Sequence, residues 1–191
     1  MTGDPSSSVA DALRAHFGQS PSTASVSFLG VDPIEVLRFE PIPGEWAYLT
    51  FGMSRHAMTA ATDTVRSADG PRAELMLHVR ATGQDNLDAW RQLAVLAAAP
   101  AVEGVVYSVG MTVDLGQVIA GGSRCTGVVV TDSAVEDVPT AAGPVRILQV
   151  IPATANELAW SRVHGSADLI ELWQASGTDL MDLGRGAVAL E

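Results

Sequence analysis

Residues 147–160, ILQVIPATANELAW, constrain the fold more than any other stretch of the chain. The run from Pro144 to Ile151 is apolar and rich in β-branched residues, which suits a mostly buried strand. Pro152 has no N–H to give to a sheet ladder, so strand pairing is expected to stop there. Thr154 and Glu157 follow at capping-box spacing. The threonine hydroxyl accepts from the Glu157 amide and the carboxylate reaches back to the Thr154 amide, satisfying two donors that a helix start otherwise leaves open. A strand therefore runs into a helix over Thr154 to Val163, stopped near Gly165. A second helix is expected over Ser166 to Ala175, with Gly177 beyond it.

The rest of the chain reads as more strands than helices. Residues 1–7 are expected to be a loose tail. A helix follows from Ser8, with Leu13 and Phe17 on its apolar face and Gly18 in the usual terminating position. Ser25 to Leu29 and Ile34 to Phe39 have strand character, Pro41 to Glu45 is a turn, and Trp46 to Phe51 pairs back as a hairpin. Ser67 to Pro71 is a loop. Arg72 to Arg80 alternates, with Arg72, Glu74, Met76 and His78 opposite Ala73, Leu75, Leu77 and Val79, which predicts one buried face. Asp85 or Asn86 can cap a helix that carries Leu87, Trp90, Ala94 and Ala97 on one side, widened by Leu93 and Leu96, and ends at Pro100. Val105 to Val113, Arg124 to Val130 and Val145 to Ile151 are further strands, with a turn at Gly121 to Ser123 and an acidic loop from Asp132 to Asp137. The strands come in hairpin-like succession and the helices cluster at the start, middle and end. This pattern predicts an α+β fold: a single domain over residues 8–175, with a mixed, mostly antiparallel sheet packed with helices. Residues 176–191 are left as an unassigned tail.

Composition narrows the function classes. The 191 residues are enough for one compact domain with a real core, which at 47% apolar and 5% aromatic residues is built from Ala, Val and Leu. No run reaches the length of a membrane span. The first twenty residues have neither a basic start nor an apolar stretch, so no signal peptide is expected. The single cysteine allows no internal disulfide and suits a reducing cytoplasm. Eleven basic residues, all arginine, against twenty-two acidic ones give a net charge of −11. Such a chain is repelled by nucleic acid and anionic membranes and drawn to a basic partner, although acidity also serves solubility.

No motif for catalysis or metal binding is present. Ser54 and His56 are neighbours without a G-x-S-x-G elbow, and the serine reads as a turn residue. His16, His56, His78 and His164 form neither H-x-H nor H-E-x-x-H, and Cys125 has no partner at ligand spacing. Neither a metal nor a cofactor is expected, and Cys125 reads as a small core residue. Gly121 to Arg124 lacks the lysine of a P-loop and precedes a strand, so it reads as a hairpin turn. Arg72 and Glu74 share a strand face and are expected to form a structural ion pair. Trp46 and Tyr48, Trp160 and Trp173, and Met53, Met58, Met76 and Met111 are core residues or, on the competing reading, contact surface.

Several segments together carry a family resemblance. The capping-box segment Pro152, Thr154, Glu157 resembles the Suppressor of fused-like domains. So do the strand and turn Tyr48 to Ser54, with Thr50, Gly52, Met53 and Ser54 as T-x-G-M-S, and the R-x-E-L strand at Arg72 and Glu74. The helix closing on Pro100 and the strand Thr126 to Val130 complete the order over roughly residues 28 to 175. The resemblance implies a non-catalytic binding protein with structural roles for those motif residues. Animal members hold a transcription factor inactive by strand addition between two domains, and this chain resembles only the amino-terminal one. Bacterial members are proposed to be immunity proteins that neutralise a toxin domain, many of them basic nucleases, and the charge of −11 fits such a partner. Asp132, Glu136 and Asp137 in one loop, with Asp168 and Glu171 on one side of a late helix, are the candidate partner-binding residues. The competing functions are a regulatory adaptor that captures a peptide on a sheet edge and an enzyme of unknown type.

Overall fold

Two strands buried on both faces, β4 (Arg72–Arg80) and β7 (Val145–Thr154), lie at the centre of a seven-stranded sheet. The computed structural model describes residues 5–63, 68–80 and 88–190. The flanking strands are β1 (Ser22–Val26), β2 (Ile34–Ile42), β3 (Glu45–Phe51), β5 (Thr112–Asp114) and β6 (Cys125–Asp132), in the order β1-β2-β3-β4-β7-β6-β5. β4 and β7 are parallel and every other neighbouring pair is antiparallel. A parallel pair needs a long crossover. Here the crossover contains α2 (Ala89–Glu103) and the β5–β6 hairpin. The α+β class with a mixed, mostly antiparallel sheet is therefore what the chain adopts.

Strand alternation sends side chains to two covered faces. On one face Tyr48, Leu75, Leu77, Val128, Leu148 and Val150 pack with Leu93, Leu96 and the small residues Ala94 and Ala97 of α2. On the other, Leu37, Phe39, Leu49, Met76 and Ile147 pack under Val9 and Leu13 of α1 (Ser6–Phe17). Next to them on this second face, Val129, Ile151 and Ala153 lie under Leu158 of α3 (Ala155–His164) and Leu169 and Trp173 of α4 (Ser166–Ala175). Helices on both faces explain why β4 is buried from Arg72 to Leu77 and is not half-exposed as its alternation predicts. Arg72 and Glu74 are the polar exceptions within it.

Several boundaries differ from the sequence reading, each for a local reason. α1 starts at Ser6, inside the expected tail, and β1 lies three residues earlier than predicted. Of the predicted strand over Val105 to Val113 only Thr112 and Val113 belong to β5. The helix caps Asp85 and Asn86, together with Leu87 and Ser67, lie outside the described residues. β2 runs on to Ile42 because its register shifts after Phe39, and Pro41 sits in that irregularity, where no ladder bond is required.

Pro152 does not end β7, which pairs with β6 as far as Thr154. The backbone N–H and C=O of one strand residue point to the same side. The Pro152 carbonyl is taken by Arg185 at 2.9 Å, so the missing N–H also points away from β6, beyond the last β4 contact at Gln149.

Pro100 likewise lies inside α2 and does not close it. Its missing N–H leaves the Leu96 carbonyl without an intrahelical donor. The buried Tyr107 hydroxyl supplies one at 2.7 Å. Burial and the nearby Glu103 charge push the Tyr107 phenol up, so it stays a donor. The helix stops instead at Gly104, with φ 68° and its N–H on Ala99. A side chain there would press on the Ala61 backbone at 2.5 Å. Tyr107→Phe is expected to cost about 1–3 kcal/mol in urea unfolding, because a buried carbonyl loses the hydroxyl that stands in for its missing helical donor. In a Pro100→Ala background, where the N–H is restored, the same change should cost much less. Equal costs in both backgrounds would refute the substitution of phenol for amide.

Candidate functional site

Two buried carboxylates organise the polar interior. The first is Glu74 on β4, with no solvent exposure. Its Oε1 accepts from the Gly52 amide (2.9 Å), the Ser54 amide (3.0 Å) and the Ser54 hydroxyl (2.7 Å), and its Oε2 from the Thr50 hydroxyl (2.6 Å). Thr50 in turn accepts from the Leu75 amide at 2.8 Å, tying β3 to β4 beyond their ladder. Arg72 holds the other end of the same 3-10 turn (Met53–Arg55). Its Nη1 donates to the carbonyls of Ser54 (2.8 Å) and Arg55 (2.7 Å), while Nη2 and Nε reach Ala68 and Ala142.

The expected Arg72–Glu74 ion pair does not form. Residues two apart on a strand stand nearly 7 Å apart, and each finds a complementary pole of the turn: amides for the carboxylate, carbonyls for the guanidinium. Gly52 is required where the chain enters the turn. Its φ is 120°, and a Cβ would meet Pro33 O at 3.2 Å and Arg55 Nη1 at 3.1 Å. Met53 is buried beneath it.

The second carboxylate is Glu157, also without exposure. The capping box is present: Glu157 N–H donates to Thr154 Oγ1 at 3.3 Å, and Oε2 accepts from the Thr154 amide at 2.8 Å and hydroxyl at 3.0 Å. The carboxylate does more than cap. It also accepts from Trp173 Nε1 (2.9 Å), the Val188 amide (3.0 Å) and both terminal nitrogens of Arg185 (2.7 and 3.1 Å). Burial raises its pKa, but the bonds from Arg185, Thr154, Trp173 and Val188 outweigh burial and hold it below the ordinary carboxylate value.

Sequence reasoning missed Arg185, which lies in the unassigned tail, 28 residues from its partner. Its one local signal is an arginine between two glycines, Gly184 and Gly186, in an otherwise apolar stretch.

The family model described as Suppressor of fused protein (SUFU) matches residues 30–186, which include both carboxylates and all of their partners but Val188. The chain belongs to the Suppressor of fused family. This domain resembles a Suppressor of fused homologue from Neisseria gonorrhoeae, at 16% identity and TM-score 0.71 over 98% of each chain. It also resembles a chain of a Sufu–Fu complex, at 14% identity and TM-score 0.68 over 100% of this chain and 92% of that one. Against Drosophila Suppressor of Fused the values are 15% and 0.70 over 98% of this chain, which spans about half, 52%, of the Drosophila protein. No curated protein matches the chain.

Among the described residues of this Suppressor of fused domain, Ser54, His56 and Cys125 do not converge. Ser54 is buried and its hydroxyl points at Glu74, while His56 bonds the exposed Asp32 at 2.8 Å, so serine and histidine face different carboxylates. A cleft of about 560 Å³ borders this turn, and Arg55, His56 and Asp32 line it. Burial pushes the Cys125 thiol up, leaving it a poor nucleophile. Among the described residues no group of three or more His, Cys, Asp or Glu has metal-binding geometry, and no helix is long and apolar enough to cross a membrane.

Tyr48, Trp173, Met53, Met58 and Met76 are core, while Trp46, Trp160 and Met111 are partly buried against it. Asp132, Glu136, Asp137, Asp168 and Glu171 are all exposed. Asp132 bonds Arg146 at 2.6 Å. Their loop is fastened by Val135 and Val138 to the α1 cluster, whereas α4 belongs to the Trp173 cluster, so the two acidic groups sit on different parts of the core.

Proposed function

We propose that this chain is a non-catalytic protein-binding domain that captures a basic partner, of the kind an immunity protein meets in a toxin domain. The observation that carries this reading is the division of charge. The buried charged side chains among the described residues are Arg72, Glu74, Glu157 and Arg185, and each is committed to the chain's own backbone or to another of the four. The long-range field is therefore left to the surface residues, and the chain carries a net −11. A field of that sign accelerates encounter with a basic protein and is screened by salt.

The test is co-expression with a basic toxin domain, sought among the coding sequences beside the gene. Growth is expected to be restored by the wild-type chain. Reversing the charge of Asp132, Glu136, Asp137, Asp168 and Glu171 together is expected to slow association by about tenfold or more at low salt and to flatten its salt dependence, with the fold intact. An unchanged on-rate would exclude these five as the steering face, and absence of both rescue and complex would exclude the immunity reading.

One observation favours the adaptor as a second reading. The outer edge of β1 carries no charge and no proline, and no backbone group among the described residues pairs with it. Such an edge can accept an added strand. Loss of binding on Ala24→Pro, with no effect of the charge reversals, would select it.

A further inference from the structure

β4 and β7 run together only over residues 72–76 and 145–149. Beyond that point the sheet splits: β4 continues beside β3 and β7 beside β6. The chain's own C-terminal segment passes through the split. The Met181 carbonyl takes the Arg80 amide at 3.0 Å, and the Leu183 carbonyl takes the Arg124 amide at 3.1 Å and the Ser123 hydroxyl at 2.9 Å. Leu183 belongs to the core on the α2 face, whereas Val188 and Leu190 pack with Trp173 on the other face. Arg185 lies between them, 8% exposed.

The seat of Arg185 is built without it. Thr154 fixes one oxygen of Glu157 and Trp173 Nε1 the other. The Pro152 carbonyl supplies a third acceptor, and the Trp173 ring lies 5.3 Å from the guanidinium carbon. Two carboxylate oxygens, a carbonyl and an aromatic face, held on a strand-to-helix junction, are what a planar guanidinium requires. The occupant is less well built than the pocket. Residues 178–190 make neither helix nor strand, and their turns close through backbone bonds of 3.3 Å, Asp182 to Asp179 and Arg185 to Asp182, helped by the side chains of Asp179 on the Met181 amide (3.2 Å) and Asp182 on the Gly184 amide (2.9 Å). Arg185 Nε is buried without an acceptor. The segment leaves α4 through Gly177, at φ 59°.

The geometry points to a guanidinium-binding pocket closed in cis: an arginine on a basic segment of a partner protein takes the place of Arg185 when residues 178–190 withdraw from the split. This rests on the protein-binding reading above and names its site. A basic segment has the advantage of long-range attraction to a chain of net charge −11, against which the tethered occupant keeps the local pairing of Asp179 with Arg80 at 2.6 Å. A competing ligand need only outbind a local opening, not global unfolding.

Cys125 reports the opening. It is the only cysteine, it is fully buried, and Ser123 links it to Leu183. In the full chain, thiol labelling of Leu183→Ala and of Arg185→Ala is expected to be roughly tenfold faster than wild type, below the onset of unfolding. A synthetic peptide of residues 178–190 should restore slow labelling to both. The same peptide carrying Ala187→Lys and Ala189→Lys, two exposed positions, should do so at lower concentration in low salt, and the peptide carrying Arg185→Gln should fail. Labelling of Leu183→Ala that tracks global unfolding would overturn the proposal, as would protection independent of the peptide arginine. A variant that dimerises on gel filtration and is thereby protected would assign the pocket to a second copy instead. No native partner enters this assay, so its outcome is separate from that of growth rescue.

Discussion

Glu74→Ala is expected to destabilise the domain by roughly 2–6 kcal/mol, the cost of two buried amides left without an acceptor. The mechanism is specific. Four donors converge on this carboxylate: two amides and two hydroxyls. The hydroxyls of Thr50 and Ser54 can rotate, but the amides of Gly52 and Ser54 cannot, and each buried donor left unmet costs about 1–3 kcal/mol. Arg72 would then hold the turn by its carbonyls alone. Glu74→Gln keeps one acceptor oxygen and should lose less than alanine. Urea unfolding of the two variants beside the wild type checks the order. A loss below about 1 kcal/mol for alanine would mean that water replaces the carboxylate and that the turn is not held from β4.

The part of this unit that sequence could reveal is instructive. The bounds of β4 are legible as Arg72 to Arg80 because its residues alternate and loop signals precede it. That Thr50, Gly52, Ser54 and Glu74 act together is legible only through family resemblance, since no local rule relates a turn to a glutamate 20 residues on. Reading Arg72 and Glu74 as an ion pair fails because charge complementarity was sought between side chains, whereas backbone poles supplied it. Pro100 and Pro152 fail in a related way. The breaker rule assumes that the missing donor is needed, yet Tyr107 replaces one and the parting of β4 from β7 makes the other unnecessary. The capping box succeeds because both partners lie within one turn. Arg185 is the opposite case: a single residue in an aperiodic tail whose role is set entirely by Glu157 and Pro152 far upstream.

Glu157→Gln should cost about 3–5 kcal/mol near neutral pH, because it leaves the Arg185 guanidinium buried without its counter-charge. The cost should also depend on pH in a direction fixed by the structure. The folded-state pKa of Glu157 is lowered, since the bonds from Arg185, Thr154, Trp173 and Val188 outweigh the effect of burial. In the unfolded chain the same group titrates near the free value of about 4.3. As pH falls past that value the unfolded state takes up a proton that the folded state still refuses, so stability drops with acidification. The contribution of Glu157 is thus fully present above the unfolded pKa and is lost as pH falls through the folded one. Arg185 stays charged throughout and adds no titration of its own. The stability gap between wild type and Glu157→Gln, measured by urea unfolding, should be flat from about pH 8 to pH 5.5 and narrow progressively below about pH 4.5. A gap that stays constant to pH 3 would show that the carboxylate is not held ionised by its six donors. A gap that widens on acidification would reverse the sign of the coupling between Glu157 and the C-terminal segment.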